Sequence, residues 1–198
     1  MSKGEQTRAT IVTQSLDLAS VVGLNALSIG SLAEHTGMSK SGLFAHFGSK
    51  EALQIAVLDA AEERFVETVV RPAFRAPRGI ARVRALFDHG LQWDKHWAGR
   101  GGCIFNASVA EFDDQPGPVR DRLVESQRKW RDTIMGAAQA AVKTGEFRAD
   151  LDCEQFAHEW TGINLAYGHA SRLMHDPKAE ARARAAFERL LEACQAKH

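Results

Sequence analysis

Apolar residues along the chain recur every three or four positions, and no segment alternates apolar and polar residues as a half-buried strand would. The first periodic run, Gln6 to Val22, turns Ile11, Ser15, Leu18, Ala19 and Val22 to one side and stops at Gly23, where a left-handed cap is expected. Two short runs follow. Ser28 is placed to cap Ile29–His35, and Ser39 to cap a run ending near Phe47, with Thr36-Gly37-Met38 as the only connection. After Gly48, Ser49 opens a longer helix from Lys50 to about Val70, stopped by Arg71-Pro72. Beyond the break at Pro77-Arg78-Gly79, another helix is expected to reach Trp97. Ala98-Gly99-Arg100-Gly101-Gly102 then reads as a joint before a shorter helix near Cys103–Glu111.

A loop at Asp113–Pro118 leads into a long stripe of Val119, Leu123, Gln127, Trp130, Ile134, Ala137 and Ala141, closed by Gly145. Asp152 with Gln155 has the spacing of a capping box for a helix to about His175. The last helix starts at Asp176-Pro177 and turns Ala183, Phe187, Leu190, Leu191 and Cys194 inward. The pattern therefore predicts an all-α chain of nine helices, with no strand and no internal repeat.

Composition narrows the class. Of 198 residues, 44% are hydrophobic and 25% charged, which excludes wholesale disorder. No apolar run approaches the roughly 18 residues of a membrane span, and Gln14, Asp17 and Asn25 interrupt the N-terminal apolar stretch where a secretory signal would be continuous. Cys103, Cys153 and Cys194 are too widely spaced for a disulfide framework or a zinc site and read as reduced apolar side chains. A cytoplasmic protein is expected. With 25 acids against 25 Lys and Arg, net charge points to no partner.

The segment Ser28–Leu53 carries the most information. Two helices of two turns, joined by three residues with a central glycine, have helix-turn-helix proportions. Leu32, Met38, Leu43 and Phe47 fall where a three-helix core would bury them, and Ala33 is small where the helices cross. That leaves Ser39, Lys40, Ser41 and His46 on the outer side of the second helix, the part that meets base edges in such motifs.

These residues resemble the DNA-binding domain of the TetR family of bacterial transcriptional regulators. The likeness is carried in order by Ser28-Ile29, Leu32-Ala33, Gly37-Met38-Ser39, Phe44-Ala45-His46-Phe47 and Lys50-Glu51-Ala52-Leu53. Ser28 stands where threonine is commoner, Met38 where valine is, and Phe44 where a tyrosine hydroxyl usually reaches a phosphate; Phe44 still offers a ring to a sugar or thymine methyl. The resemblance implies a helix-turn-helix domain over residues 1–50 and a helical effector-binding and dimerisation domain over residues 51–198. It implies DNA contacts from Ser28, Ser39, Lys40, Ser41, Phe44, His46 and Lys50. Residues 1–50 hold four bases (Lys3, Arg8, Lys40, Lys50) against three acids (Glu5, Asp17, Glu34), so a shallow salt dependence is expected.

For the larger domain, the resemblance implies a cavity near His89, Trp93, Phe105, Asn106, Phe112, Trp130 and Met135, suited to an uncharged hydrophobic or aromatic effector. The stretch from Gly101-Gly102-Cys103-Ile104-Phe105 through Glu111-Phe112-Asp113-Asp114 to Pro116-Gly117-Pro118-Val119-Arg120 is similar to a subset of TetR-like effector domains. It also implies a homodimer through the last two long helices. There Gly162, Ala166 and Ala170 recur every four residues, and Tyr167, Phe187, Leu190 and Leu191 are the expected anchors, although a core stripe explains Phe187 and Leu191 equally well. The helix from Lys50 leaves the reading unit directly, so filling a cavity beside it would change the separation of two reading heads. The expected partners are double-stranded operator DNA, a small effector and a second copy of the chain.

Catalytic fragments do not assemble. Ser126-x-x-Lys129 and Lys143-Thr144-Gly145 lie on one helix without the third β-lactamase element, and His158-Glu159 lacks a second zinc ligand because position 162 is glycine. No phosphate-binding glycine loop occurs, and no cofactor or metal is expected. The competing reading is an all-helical ligand-binding protein or enzyme whose N-terminal helices never touch DNA.

Overall fold

The computed structural model describes residues 2–93 and 101–196, and the expected helix end at Trp97 lies outside them. Among the described residues there are nine helices of two turns or more: α1 Lys3–Val22, α2 Ile29–Thr36, α3 Lys40–Phe47, α4 Lys50–Phe65, α6 Ile80–Gln92, α7 Ile104–Phe112, α8 Pro118–Lys143, α9 Cys153–Gly168 and α10 Ala179–Cys194. A single turn, α5 (Arg71–Ala73), and two π-helical turns, Val66–Val70 and His169–Leu173, complete the order. The helices pack as two compact units, residues 2–65 with 101–127 and residues 66–93 with 128–196.

In the first unit, capping residues fix where each short helix begins. Ser28 accepts the Ser31 amide at 3.0 Å and forms a reciprocal box with the Ser31 hydroxyl. Ser39 accepts the Gly42 amide at 3.1 Å, and Ser49 accepts the Ala52 amide at 3.0 Å. Each satisfies an amide that the helix itself leaves unpaired. Gly37 ends α2 in the left-handed region at φ 69°, so the chain turns sharply into α3 as the sequence predicts. Ile11, Leu16, Leu24, Leu27, Leu32, Leu43, Leu53 and Val57 form the core of this unit. Along α1 the buried stripe is Ile11, Val12, Ser15, Leu16 and Ala19; Leu18 falls at its edge, and Val22, expected inward, is 46% exposed in the final turn.

The second unit is built around aromatic rings. Phe87 of α6 and Phe187 of α10 stack at 3.8 Å with planes 4° apart, and Trp160 of α9 meets Phe187 edge-on at 5.0 Å. Ile134, Ala137, Ala138 and Ala141 of α8 close this core with Phe147 and Phe156. Arg84–Glu188 and Arg184–Asp88 pairs tie α6 to α10 at the rim. Asp152 caps α9 by accepting the Glu154 and Gln155 amides, but Gln155 bonds Glu159 and so does not complete the expected box. Burial pushes the Cys153 and Cys194 thiols up, consistent with inert apolar roles.

Candidate nucleic-acid interface

The chemistry of α3 follows from which of its faces the core consumes. Leu43 is fully buried and Phe47 is 8% exposed, so the opposite side must face solvent. That side carries Ser39, Lys40, Ser41 and Phe44, all exposed, with His46 half-buried beside the Phe47 ring. Phe44 is the notable one: 56% of this phenylalanine stands in water. The Ser39 and Ser41 hydroxyls lie 3.3 Å apart at the start of α3.

A second feature lies at the start of α2. The Lys40 ammonium passes 3.9 Å from the Cβ position that Gly30 leaves empty, placing a cation beside the positive end of α2 and its Ser28 cap. Arg8 of α1 lies over the Phe47 ring at 5.0 Å. Lys50, expected to face DNA, also has a partner within the chain. Its Nζ donates to the Asn25 carbonyl at 2.6 Å and to Asn25 Oδ1 at 3.3 Å, so this lysine already holds the loop before α2.

The helix-turn-helix matches the description of bacterial regulatory proteins of the tetR family over residues 11–57, and residues 79–187 match the tetracyclin repressor-like C-terminal domain. The chain belongs to the TetR family. As a TetR-family regulator it is a DNA-binding transcription factor rather than an enzyme, and the family implies operator DNA and a small-molecule effector as partners. No curated protein matches it in sequence. Among solved structures it is similar to a TetR transcriptional regulator from Chloroflexus aurantiacus J-10-FL, at 26% identity and TM-score 0.85, covering 97% of this chain and 96% of that one. A TetR-family regulator from Cytophaga hutchinsonii matches at 19% identity and TM-score 0.86 over 100% and 99% of the two chains. A third, AibR in complex with isovaleryl coenzyme A and operator DNA, matches at 21% identity and TM-score 0.69 over 90% and 96%.

The remaining expected site residues are distributed between the units. Phe105 and Phe112 of α7 are buried in the first, with Asn106 half-buried. Trp93 is buried in the second, where His89, Trp130 and Met135 are half-buried. The expected dimer anchors need correcting. Phe187, Leu190 and Leu191 are 2%, 7% and 0% exposed within the single chain, because α10 spends its apolar face on Phe87, Trp160 and Ile134. Gly162 and Ala166 of α9 are exposed, Tyr167 and Ala170 half-exposed, and the sequence reading missed Leu165, Leu173 and Met174, which stand 52%, 68% and 63% exposed around them. Among the described residues no helix is long and apolar enough to cross a membrane, and no group of metal-ligating side chains forms.

Proposed function

We propose that this TetR-family regulator is a cytoplasmic repressor that grips a palindromic operator as a homodimer and lets go when a small hydrophobic or aromatic effector binds. The observation that carries the reading is the split of α3 into a buried Leu43–Phe47 side and a solvent side of Ser39, Lys40, Ser41 and Phe44. Such a face delivers hydroxyl and ammonium groups to base edges and phosphates, with Phe44 against sugar or a thymine methyl. The start of α2, with Ser28 and the nearby Lys40, is suited to a phosphate; His46 and Lys50 complete the contact set.

One short reading helix makes few contacts, and a two-fold dimer doubles them. Half-sites then fall about 34–36 Å apart or at a multiple of that spacing. The exposed face of α9, Gly162, Leu165, Ala166 and Tyr167, with Ala170, is the proposed seam. For the effector, the family and the aromatic wealth of the C-terminal helices support an apolar ligand, with His89, Trp93, Phe105, Asn106, Phe112, Trp130 and Met135 as the candidate contacts that the family resemblance implies. A coupling of about 1–3 kcal/mol suffices for roughly 5- to 150-fold derepression.

Selection of bound duplexes from a random pool tests the reading. A two-fold symmetric sequence supports it. Recovery of no sequence, or of a single unrepeated half-site, overturns it.

A further inference from the structure

Glu111, near the end of α7, reaches into the loop between α1 and α2, where its Oε2 accepts the backbone amide of Asn25 at 2.9 Å. The approach leaves no room for a side chain on Gly23. A Cβ there would stand 2.0 Å from Glu111 Oε1, and the residue sits at φ 92°, which glycine alone adopts freely. The carbonyl of the same Asn25 is taken by Lys50, and one turn further along α4 Gln54, 2% exposed, donates to the Leu24 carbonyl at 2.8 Å. Side chains from α7 and α4 therefore hold Leu24 and Asn25 of this loop by hydrogen bonds, and Gly23 leaves the space that Glu111 occupies. Two residues later, Leu27 is fully buried, and Ser28 caps α2. The loop thus sets where α2 starts, and Gly37 passes that position to α3 through a turn of three residues.

We infer that Glu111 is a positioning residue for operator recognition: by holding the Asn25 amide it fixes the α1–α2 loop and ties the place of the reading helix to α7. The consequence for recognition rests on the DNA reading of α3; the hold itself does not. A shift of α7 is passed to α2 and α3 by one charge-assisted hydrogen bond, between residues 86 apart in the chain, and by the close approach of Glu111 to Gly23. Glu111 makes no contact with DNA in this scheme, so its loss changes affinity without changing the number of phosphates neutralised.

The full chain and its Glu111→Ala, Glu111→Gln and Glu111→Asp variants discriminate the roles. Two readouts are needed: exchange of the Asn25 amide by NMR, and affinity for the selected duplex across salt concentrations. The alanine variant is expected to speed Asn25 exchange about tenfold and weaken duplex binding about five- to tenfold, with an unchanged salt slope. Glutamine keeps the acceptor and restores binding to within about twofold, while aspartate keeps the charge, falls one methylene short and behaves like alanine. An alanine variant that binds as wild type, a rescue by aspartate but not glutamine, or an altered salt slope each overturns the inference. A wild-type chain that selects no duplex overturns the DNA reading instead, and the Asn25 exchange still reports whether Glu111 holds the loop.

Discussion

Arg122 of α8 donates through Nη2 to Glu62 of α4 at 2.9 Å, with only 14% of the arginine side chain exposed. Nε takes Asp59 at 2.6 Å, one turn earlier on α4, and Ser126 donates to the same Glu62 oxygen at 2.9 Å. Burial pulls the guanidinium's affinity for its proton down, and the hydrogen bonds to Asp59 and Glu62 more than restore it, so the group is held charged. Arg122→Met leaves two carboxylates facing an apolar chain and is expected to cost about 1–3 kcal/mol. Arg122→Lys, which cannot fork to both acids, is expected to lose about half of that. Urea unfolding of the three proteins checks both figures.

Phe44 contributes little to the fold, because more than half of it is exposed. Phe44→Ala is expected to leave the unfolding free energy within about 0.5 kcal/mol of wild type and to weaken operator binding about fivefold or more. Phe44→Tyr restores a hydroxyl that reaches toward the backbone, and tighter binding is expected. Fluorescence anisotropy on the selected duplex reads both changes.

Lys50 stands between two duties. Two of the ammonium's three donors face Asn25, leaving one for a phosphate. Lys50→Ala is expected to weaken binding to every duplex and to lower the slope of log affinity against log salt by about one. A weaker complex with an unchanged slope would assign the lysine to the loop alone.

The two helices expected to pair across a dimer separate cleanly by mutation. Phe187→Ala opens a hole beside Phe87 and Trp160 and is expected to cost about 3–5 kcal/mol in unfolding measurements. Ala166→Glu lies on an exposed face and is expected to leave the fold intact while converting the proposed dimer to monomers in sedimentation. A stable Phe187→Ala variant, or a dimeric Ala166→Glu variant, would reverse the assignment of these faces.

The contrast shows what periodicity carries. Ser28, Gly37, Ser39 and Leu43 were legible because caps, turns and short amphipathic helices are written within a few residues of one another. The apolar stripe of Phe187, Leu190 and Leu191 was legible too, but spacing says only that a face is covered, not whether a second copy or the same chain covers it. The contacts of Asn25, Gln54 and Glu111 carried no local signal. Their partners stand 86 and 30 residues away, and a lone carboxylate at a helix end looks the same whether it points at water or at a distant amide.

An aromatic ring at Phe44, in the midst of the proposed reading face, bears on how such a protein would find its address. Every additional lysine turned toward a duplex would strengthen indiscriminate adhesion to the chromosome, a vast sink that drains molecules from the one place they are needed. Carbon edges reward only the base step they fit. Fewer copies per cell would then keep an operator occupied, because less of the pool is lost to bulk DNA.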